Sequence, residues 1–147
     1  MIGIIVSGHG LFGTGLEASL HLIAGEKQNV KFVDFLPEDS QDSLKEKMLK
    51  AMNEMPECTD ILCLADLVSG TPFQTFVGLK YEVTDKHLEV VCGANLAILI
   101  ETSMAKDFIE DLNMLADMAI STGKDSIQKF EMAATTNNND DLEGDGI

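Results

Sequence analysis

Arginine is absent from this chain of 147 residues. All ten basic residues are lysines, set against 25 aspartates and glutamates, for a formal net charge of -15. Nucleic acids and anionic membrane surfaces are held by clustered cations, so this balance excludes both as partners. It also restricts any phosphate site. With no guanidinium fork, phosphate oxygens must be held by backbone N–H groups, hydroxyls, helix N-termini or lysine. Cysteine is scarce as well. Cys58, Cys63 and Cys92 are odd in number and lack C-x-x-C spacing, which supports neither a disulfide framework nor a metal site. Cys63 and Cys92 fall inside apolar runs and read as small core residues. No apolar stretch is long enough to cross a bilayer. The N-terminus has no basic region, and its apolar run is too short for a signal peptide, so a cytoplasmic protein is expected.

What remains is a globular composition. Hydrophobic residues make up 45% of the chain, enough for one domain with a real core. That domain is expected over residues 1–131. From 132 to 147 the chain turns polar and acidic, through Thr135-Thr136-Asn137-Asn138-Asn139-Asp140-Asp141, and reads as a disordered tail. Within the domain, strand-like and helix-like runs alternate. Strands are expected over Ile2–Val6, Val30–Phe35, Ile61–Ala65 and Leu88–Cys92, the first and third almost wholly apolar. Helices are expected over Thr14–Ala24, Ser40–Met55, from Thr71-Pro72 onward, over Ala97–Ala105 and over Leu112–Ser121. Thr71 is the expected N-cap of the third helix and Pro72 opens its first turn. Ser126–Glu131 fits either helix or strand. This alternation predicts an α/β fold: an αβα sandwich around a central, mostly parallel sheet of four main strands. Right-handed crossovers then bring His9, Asp34, Asp66 and Gly93-Ala94-Asn95 to one edge of that sheet.

Two strand ends stand out on that edge. The first is Ser7-Gly8-His9-Gly10, a histidine left sterically open by glycine on either side. The second is Asp66-Leu67-Val68-Ser69-Gly70-Thr71-Pro72-Phe73. Here an aspartate that is costly to bury unpaired is followed by a loop able to aim several N–H groups at one point. A capped β–α turn accounts for Gly70, Thr71 and Pro72 without any ligand. The placement of His9 on the same edge favours a site. In that site Asp66 accepts a hydrogen bond from one imidazole nitrogen and leaves the other free to attack phosphorus. Donors around Ser69, Gly70 and Thr71, with the Gly10 N–H, hold the phosphoryl oxygens. No metal and no cofactor is expected.

A rival motif overlaps the first strand end. Gly8-His9-Gly10-Leu11-Phe12-Gly13 matches G-x-G-x-x-G, and Asp34 ends the second strand near the spacing of a ribose-binding acid. This NAD-binding reading leaves the Asp66 loop unexplained, and an imidazole is unusual where pyrophosphate must lie against the backbone. His21 and His87 read as solvated surface residues. A third reading is a non-catalytic interaction module with a structural histidine.

Taken together, Ser7-Gly8-His9-Gly10, Asp66-Leu67-Val68-Ser69-Gly70-Thr71-Pro72-Phe73, and Gly93-Ala94-Asn95-Leu96 with Glu101 beyond resemble the mannose-family EIIA components. These belong to the phosphoenolpyruvate-dependent sugar phosphotransferase system. The resemblance runs from Met1 to about Phe130. It implies that His9 accepts a phosphoryl group from phospho-HPr on Nε2 and passes it to a cognate EIIB, with membrane EIIC and EIID engaged only indirectly. It implies Asp66 as the orienting residue and Gly70–Thr71 as the phosphoryl-binding loop. It further implies a homodimer, in some members with a short C-terminal strand exchanged between subunits, for which Ser126–Glu131 is the candidate here. Two features depart or differ. Ser69-Gly70 stands where the family often has two glycines, and some relatives continue into an EIIB domain, so this chain is expected to meet EIIB in trans. The phosphotransfer subunit of dihydroxyacetone kinase is a cousin. The Asp-Leu-x-x-Gly-Thr-Pro pattern favours the sugar-transport branch.

Overall fold

The computed structural model describes residues 1–133. Nine elements follow one another: β1 (Ile2–His9), α1 (Phe12–Ala24), β2 (Val30–Phe35), α2 (Gln41–Asn53), β3 (Asp60–Ala65), α3 (Thr71–Glu82), β4 (His87–Cys92), α4 (Leu96–Ala105) and α5 (Leu112–Asp125). The four strands form one sheet in the order β2-β1-β3-β4, and every pairing is parallel. The α/β sandwich expected from the alternating runs is therefore the observed architecture.

Alternation along β1 explains how the sheet is covered on both sides. Ile2, Ile4 and Val6 face one core, shared with Leu20 of α1, Ile98 and Leu99 of α4 and Leu115 of α5. Ile5 faces the other, shared with Leu44, Met48 and Met52 of α2 and Phe76 and Leu79 of α3. Strands buried on both faces need no polar side, which is why the central strands read as apolar runs over Ile2–Val6 and Ile61–Ala65, while the edge strands β2 and β4 carry Lys31, Asp34 and Glu89.

The strand order positions the site. From β1 the chain crosses to β2 on one side, and from β3 it crosses to β4 on the other. The carboxyl ends of β1 and β3 therefore flank the topological switch point, the position at which open α/β sheets generally bind ligands. His9 is the last residue of β1, and Asp66 directly follows β3.

Several boundaries differ from the sequence expectation. β1 extends three residues past Val6, because Ser7, Gly8 and His9 keep pairing with Val33, Asp34 and Phe35 of β2. Backbone pairing does not require apolar side chains, so composition concealed it. α1 starts at Phe12 rather than Thr14. Gly70, not Thr71, is the N-cap of α3: Gly70 is extended, and its carbonyl accepts the Gln74 N–H that closes the first turn. The segment 127–133 forms neither helix nor strand in this single chain. Of the expected acidic tail, residues 134–147 lie outside the described residues.

Gly13 shows how closely α1 seats on β2. A Cβ there would lie 3.2 Å from the Val33 nitrogen, 3.3 Å from the Val33 carbonyl carbon and 2.9 Å from Asp34 Oδ1. Backbone cannot yield as a flexible side chain can. Gly15, two residues on, faces open space. Gly13→Ala is expected to destabilise the fold by about 1–3 kcal/mol through overpacking. Gly15→Ala is expected to stabilise it by up to about 1 kcal/mol through helix propensity. Denaturant melts of the two variants check this, and equal effects would contradict it.

Candidate functional site

One carboxylate organises the site. Asp66 Oδ2 accepts the His9 backbone N–H at 2.9 Å and lies 2.8 Å from His9 Nδ1. Its other oxygen, Oδ1, accepts the Leu67 N–H at 2.9 Å. An ionised carboxylate can only accept, so Nδ1 carries the proton. In the neutral imidazole Nε2 then holds the free lone pair. Asp66 is largely covered, with its side chain 11% exposed, while His9 is 45% exposed. Burial pushes the Asp66 carboxyl up. The hydrogen bonds from His9 and Leu67 outweigh that and hold it below the ordinary aspartate value.

The imidazole is bracketed on two further sides. The Phe35 ring meets it edge-on, with centroids 5.7 Å apart and planes at 73°. Gly70, the N-cap of α3, lies against its other edge: a Cβ at Gly70 would sit 2.9 Å from His9 Cε1 and 3.7 Å from Nε2. Only glycine admits the ring here, so the free nitrogen stands beside the N-terminus of α3. Unpaired backbone N–H groups and the helix dipole make such a terminus an anion site. The loop before it is bent at Ser69, whose φ of 64° lies in the left-handed region that favours glycine. The Ser69 carbonyl is tied down by Gln74 Nε2 at 3.3 Å.

The expected site residues thus fall into two groups. His9, Asp66, Ser69, Gly70 and Thr71 converge at the β1–β3 switch point. The Gly10 N–H does not join them. It donates to the Phe35 carbonyl at 2.8 Å, which pins the turn after β1 against β2 and leaves that donor unavailable to a phosphoryl oxygen. Asp34 is also committed elsewhere. Its Oδ1 accepts the Thr14 N–H at 3.0 Å and its Oδ2 the Thr14 hydroxyl at 2.9 Å, so it caps α1 from across the turn. In the dinucleotide reading the N-terminus of α1 would hold pyrophosphate, and here the Asp34 carboxylate serves that helix end instead. Gly8 lies inside β1 and Gly13 is a packing residue. Phe35 was missed in the sequence. Its signal is register, since the second strand's last residue faces His9 across the pair.

A cleft of about 410 Å³, lined by Glu17, His21, Lys27, Asn29 and Glu57 among others, is at the opposite, amino edge of the sheet. Among the described residues no group of three or more histidine, cysteine, aspartate or glutamate side chains is placed to hold a metal ion. No helix among them is long and apolar enough to cross a membrane.

Comparison with known proteins gives a consistent result. A family model described as EIIA-man, PTS system fructose IIA component, matches residues 3–120. The fructose-specific EIIA component of Bacillus subtilis (strain 168) is 29% identical over 148 residues, covering 97% of this chain and all of that one. The mannose-specific EIIAB component of Escherichia coli (strain K12) is 29% identical over 130 residues, covering 88% of this chain. The chain spans only 40% of the length of that two-part relative. Among solved structures, the phosphotransferase system component EIIA from Streptococcus agalactiae superposes with a TM-score of 0.81 at 32% identity, covering 88% of this chain and 97% of its own.

The lowered Asp66 pKa has a definite sign for stability. The ionised carboxylate contributes fully above the ordinary aspartate value of about 3.9, and the contribution is lost as pH falls through the lowered folded-state value. Wild type is therefore expected to lose stability below about pH 4 more steeply than Asp66→Asn. Thermal melts stepped through the acid range check this, and superimposable acid limbs would contradict it.

Proposed function

The chain belongs to the EIIA-man family of phosphotransferase-system components, and from that premise we propose that it is a phosphohistidine carrier using His9. The observation that carries the reading is the Asp66–His9 pair, with Nδ1 engaged by the carboxylate and Nε2 beside the α3 N-terminus. The Nε2 lone pair attacks the phosphorus of a donor phosphohistidine. The new N–P bond forms as the donor's P–N bond breaks, and the donor imidazole leaves with that bond's electron pair. Asp66 keeps the Nδ1 proton in place and stabilises the positive charge on the ring. Backbone N–H groups of Ser69, Gly70 and Thr71, with the Thr71 hydroxyl, hold the phosphoryl oxygens. Transfer relies on positioning and fixed dipoles, since the chain has no arginine and the loops over residues 10–11 and 66–70 hold no lysine. The reverse displacement hands the group on.

The donor in this reading is HPr and the acceptor a cognate EIIB, with EIIC and EIID reached only through that acceptor. The carrier domain occupies residues 1–131, followed by an acidic tail over 132–147, and acts in the cytoplasm. Nearly half of the His9 side chain is open to solvent, which suits a group received from and given to other proteins. A homodimer is part of the proposal. Strand β4 is an edge of the sheet. Beside it Ile127 lines an apolar groove with Val91, Cys92, Ile98 and Ile120, and Phe130 and Met132 beyond are exposed. An open edge next to an exposed apolar segment is a template for pairing with a second copy.

Intact mass after incubation with phosphoenolpyruvate, enzyme I and HPr tests the carrier role. Wild type is expected to gain one acid-labile phosphoryl group and His9→Ala none, while His9→Ala still melts cooperatively. Asp66→Asn is expected to slow acceptance about ten- to a hundredfold without abolishing it, the range typical for losing the group that orients a functional histidine. Full phosphorylation of His9→Ala would overturn the proposal, and a wild-type rate in Asp66→Asn would remove Asp66 from it.

A further inference from the structure

We propose that Gln74 is a positioning residue for the transfer: its side-chain amide holds the Ser69–Gly70 peptide so that the Gly70 N–H faces the group carried on His9, an inference that rests on the carrier reading above. A trans peptide is planar, and its C=O and N–H point in opposite directions. Gripping the Ser69 carbonyl therefore aims the Gly70 N–H. Gln74 Nε2 donates to that carbonyl at 3.3 Å. The Gln74 backbone N–H takes the next carbonyl, that of Gly70, at 2.9 Å. One residue thus fixes two successive peptide planes, those that carry the Gly70 and Thr71 N–H groups. The backbone bond comes with any helix. The side-chain bond depends on which residue stands at position 74.

The loop needs such a hold because of its own residues. Position 70 must be glycine, since a Cβ there would lie 2.9 Å from His9 Cε1 and 3.7 Å from Nε2. The same missing Cβ leaves the peptide before it free to rotate, because glycine takes positive φ as readily as its present −74°. Ser69 stands at φ 64°, where a side chain is disfavoured, so the loop gains by leaving this arrangement. With the plane turned over, a carbonyl in place of an N–H would face the phosphoryl oxygens and repel them. Holding the plane takes a hydrogen-bond donor on a long side chain. Helical side chains lean toward the N-terminus, so a residue of the first turn reaches back over the preceding loop. Glutamine has both the donor and the reach. Glutamate can only accept when ionised, and asparagine is one methylene shorter. Donors fixed in advance need no reorganisation at the moment of transfer, and this is what the Gln74 amide supplies.

The test uses the full chain and two donors, phospho-HPr and phosphoramidate, a small chemical donor to histidine. Gln74→Met keeps the length of the side chain and loses the N–H. Its acceptance rate is expected to fall about tenfold with both donors, short of the hundredfold or more that losing a fixed oxyanion donor outright costs. Gln74→Glu is expected to lose at least as much, because its carboxylate repels the carbonyl. The Gly70 amide proton reports the cause. In nitrogen-labelled wild type its resonance is expected to move downfield when His9 is phosphorylated, and in Gln74→Met that displacement is expected to be largely lost. The Leu67 amide, held by Asp66, and the melting temperature are expected to stay as in wild type. Rates within about twofold of wild type in both variants would overturn the proposal. So would a Gly70 displacement equal in wild type and variant, or a loss confined to phospho-HPr, which would make Gln74 a docking contact instead. Wild type that accepts a phosphoryl group from neither donor would overturn the carrier reading itself, and the role of Gln74 with it.

Discussion

The site depends on a single acceptor oxygen with two donors. Asp66 Oδ2 takes both the backbone N–H and the ring Nδ1 of His9. One contact fixes where the residue sits, and the other fixes which ring nitrogen is protonated and which way the ring turns. Neither would suffice alone. Held only by its ring, the histidine could swing with its loop; held only by its backbone, it could present either nitrogen. The Leu67 N–H on the remaining oxygen keeps the carboxylate itself from rotating.

That pair exists because of strand order. β1 and β3 are neighbours at the centre of the sheet, and their crossovers leave in opposite directions, so their carboxyl ends flank the topological switch point. The histidine ends one strand and the aspartate follows the other. Helix α3 starts in the same place, with Gly70 at its N-cap close enough to touch the imidazole. In the proposed carrier, backbone N–H groups at this helix end and the Thr71 hydroxyl take the place of the arginine that the chain lacks. The neighbouring helix end, at α1, is already served by Asp34 through Thr14. Of two helix N-termini near the switch point, one is capped by a carboxylate of the chain and the other faces His9. This difference favours the proposed phosphoryl transfer over dinucleotide binding more sharply than the glycine pattern does.

Much of this was legible in the residues. Short runs rich in apolar and β-branched residues identified the four strands, and their alternation with helical stripes implied the parallel sheet. From that topology alone His9 and Asp66 had to share an edge. Less legible was anything set by backbone pairing. Ser7-Gly8-His9 has no strand-like composition, yet it completes β1 because its peptide groups have partners on β2. The Gly10 N–H looked available and is not, since the Phe35 carbonyl reaches it. Thr71 looked like a cap by residue type, whereas the extended backbone of Gly70 is where the helix begins. Asp34 looked like a ligand for ribose because spacing cannot show that Thr14 lies within hydrogen-bonding distance. Composition reports what a residue can do, and only the fold decides which group it meets first.

The most direct test of the account asks which imidazole nitrogen bears the phosphoryl group. Long-range proton–nitrogen correlation spectra of the phosphorylated, nitrogen-labelled protein resolve the two ring positions of His9. Phosphorus on Nε2, with Nδ1 still protonated against Asp66, is the predicted result. Phosphorus on Nδ1 would mean that Asp66 is displaced in the working state, and would contradict the central claim that this carboxylate aims the histidine.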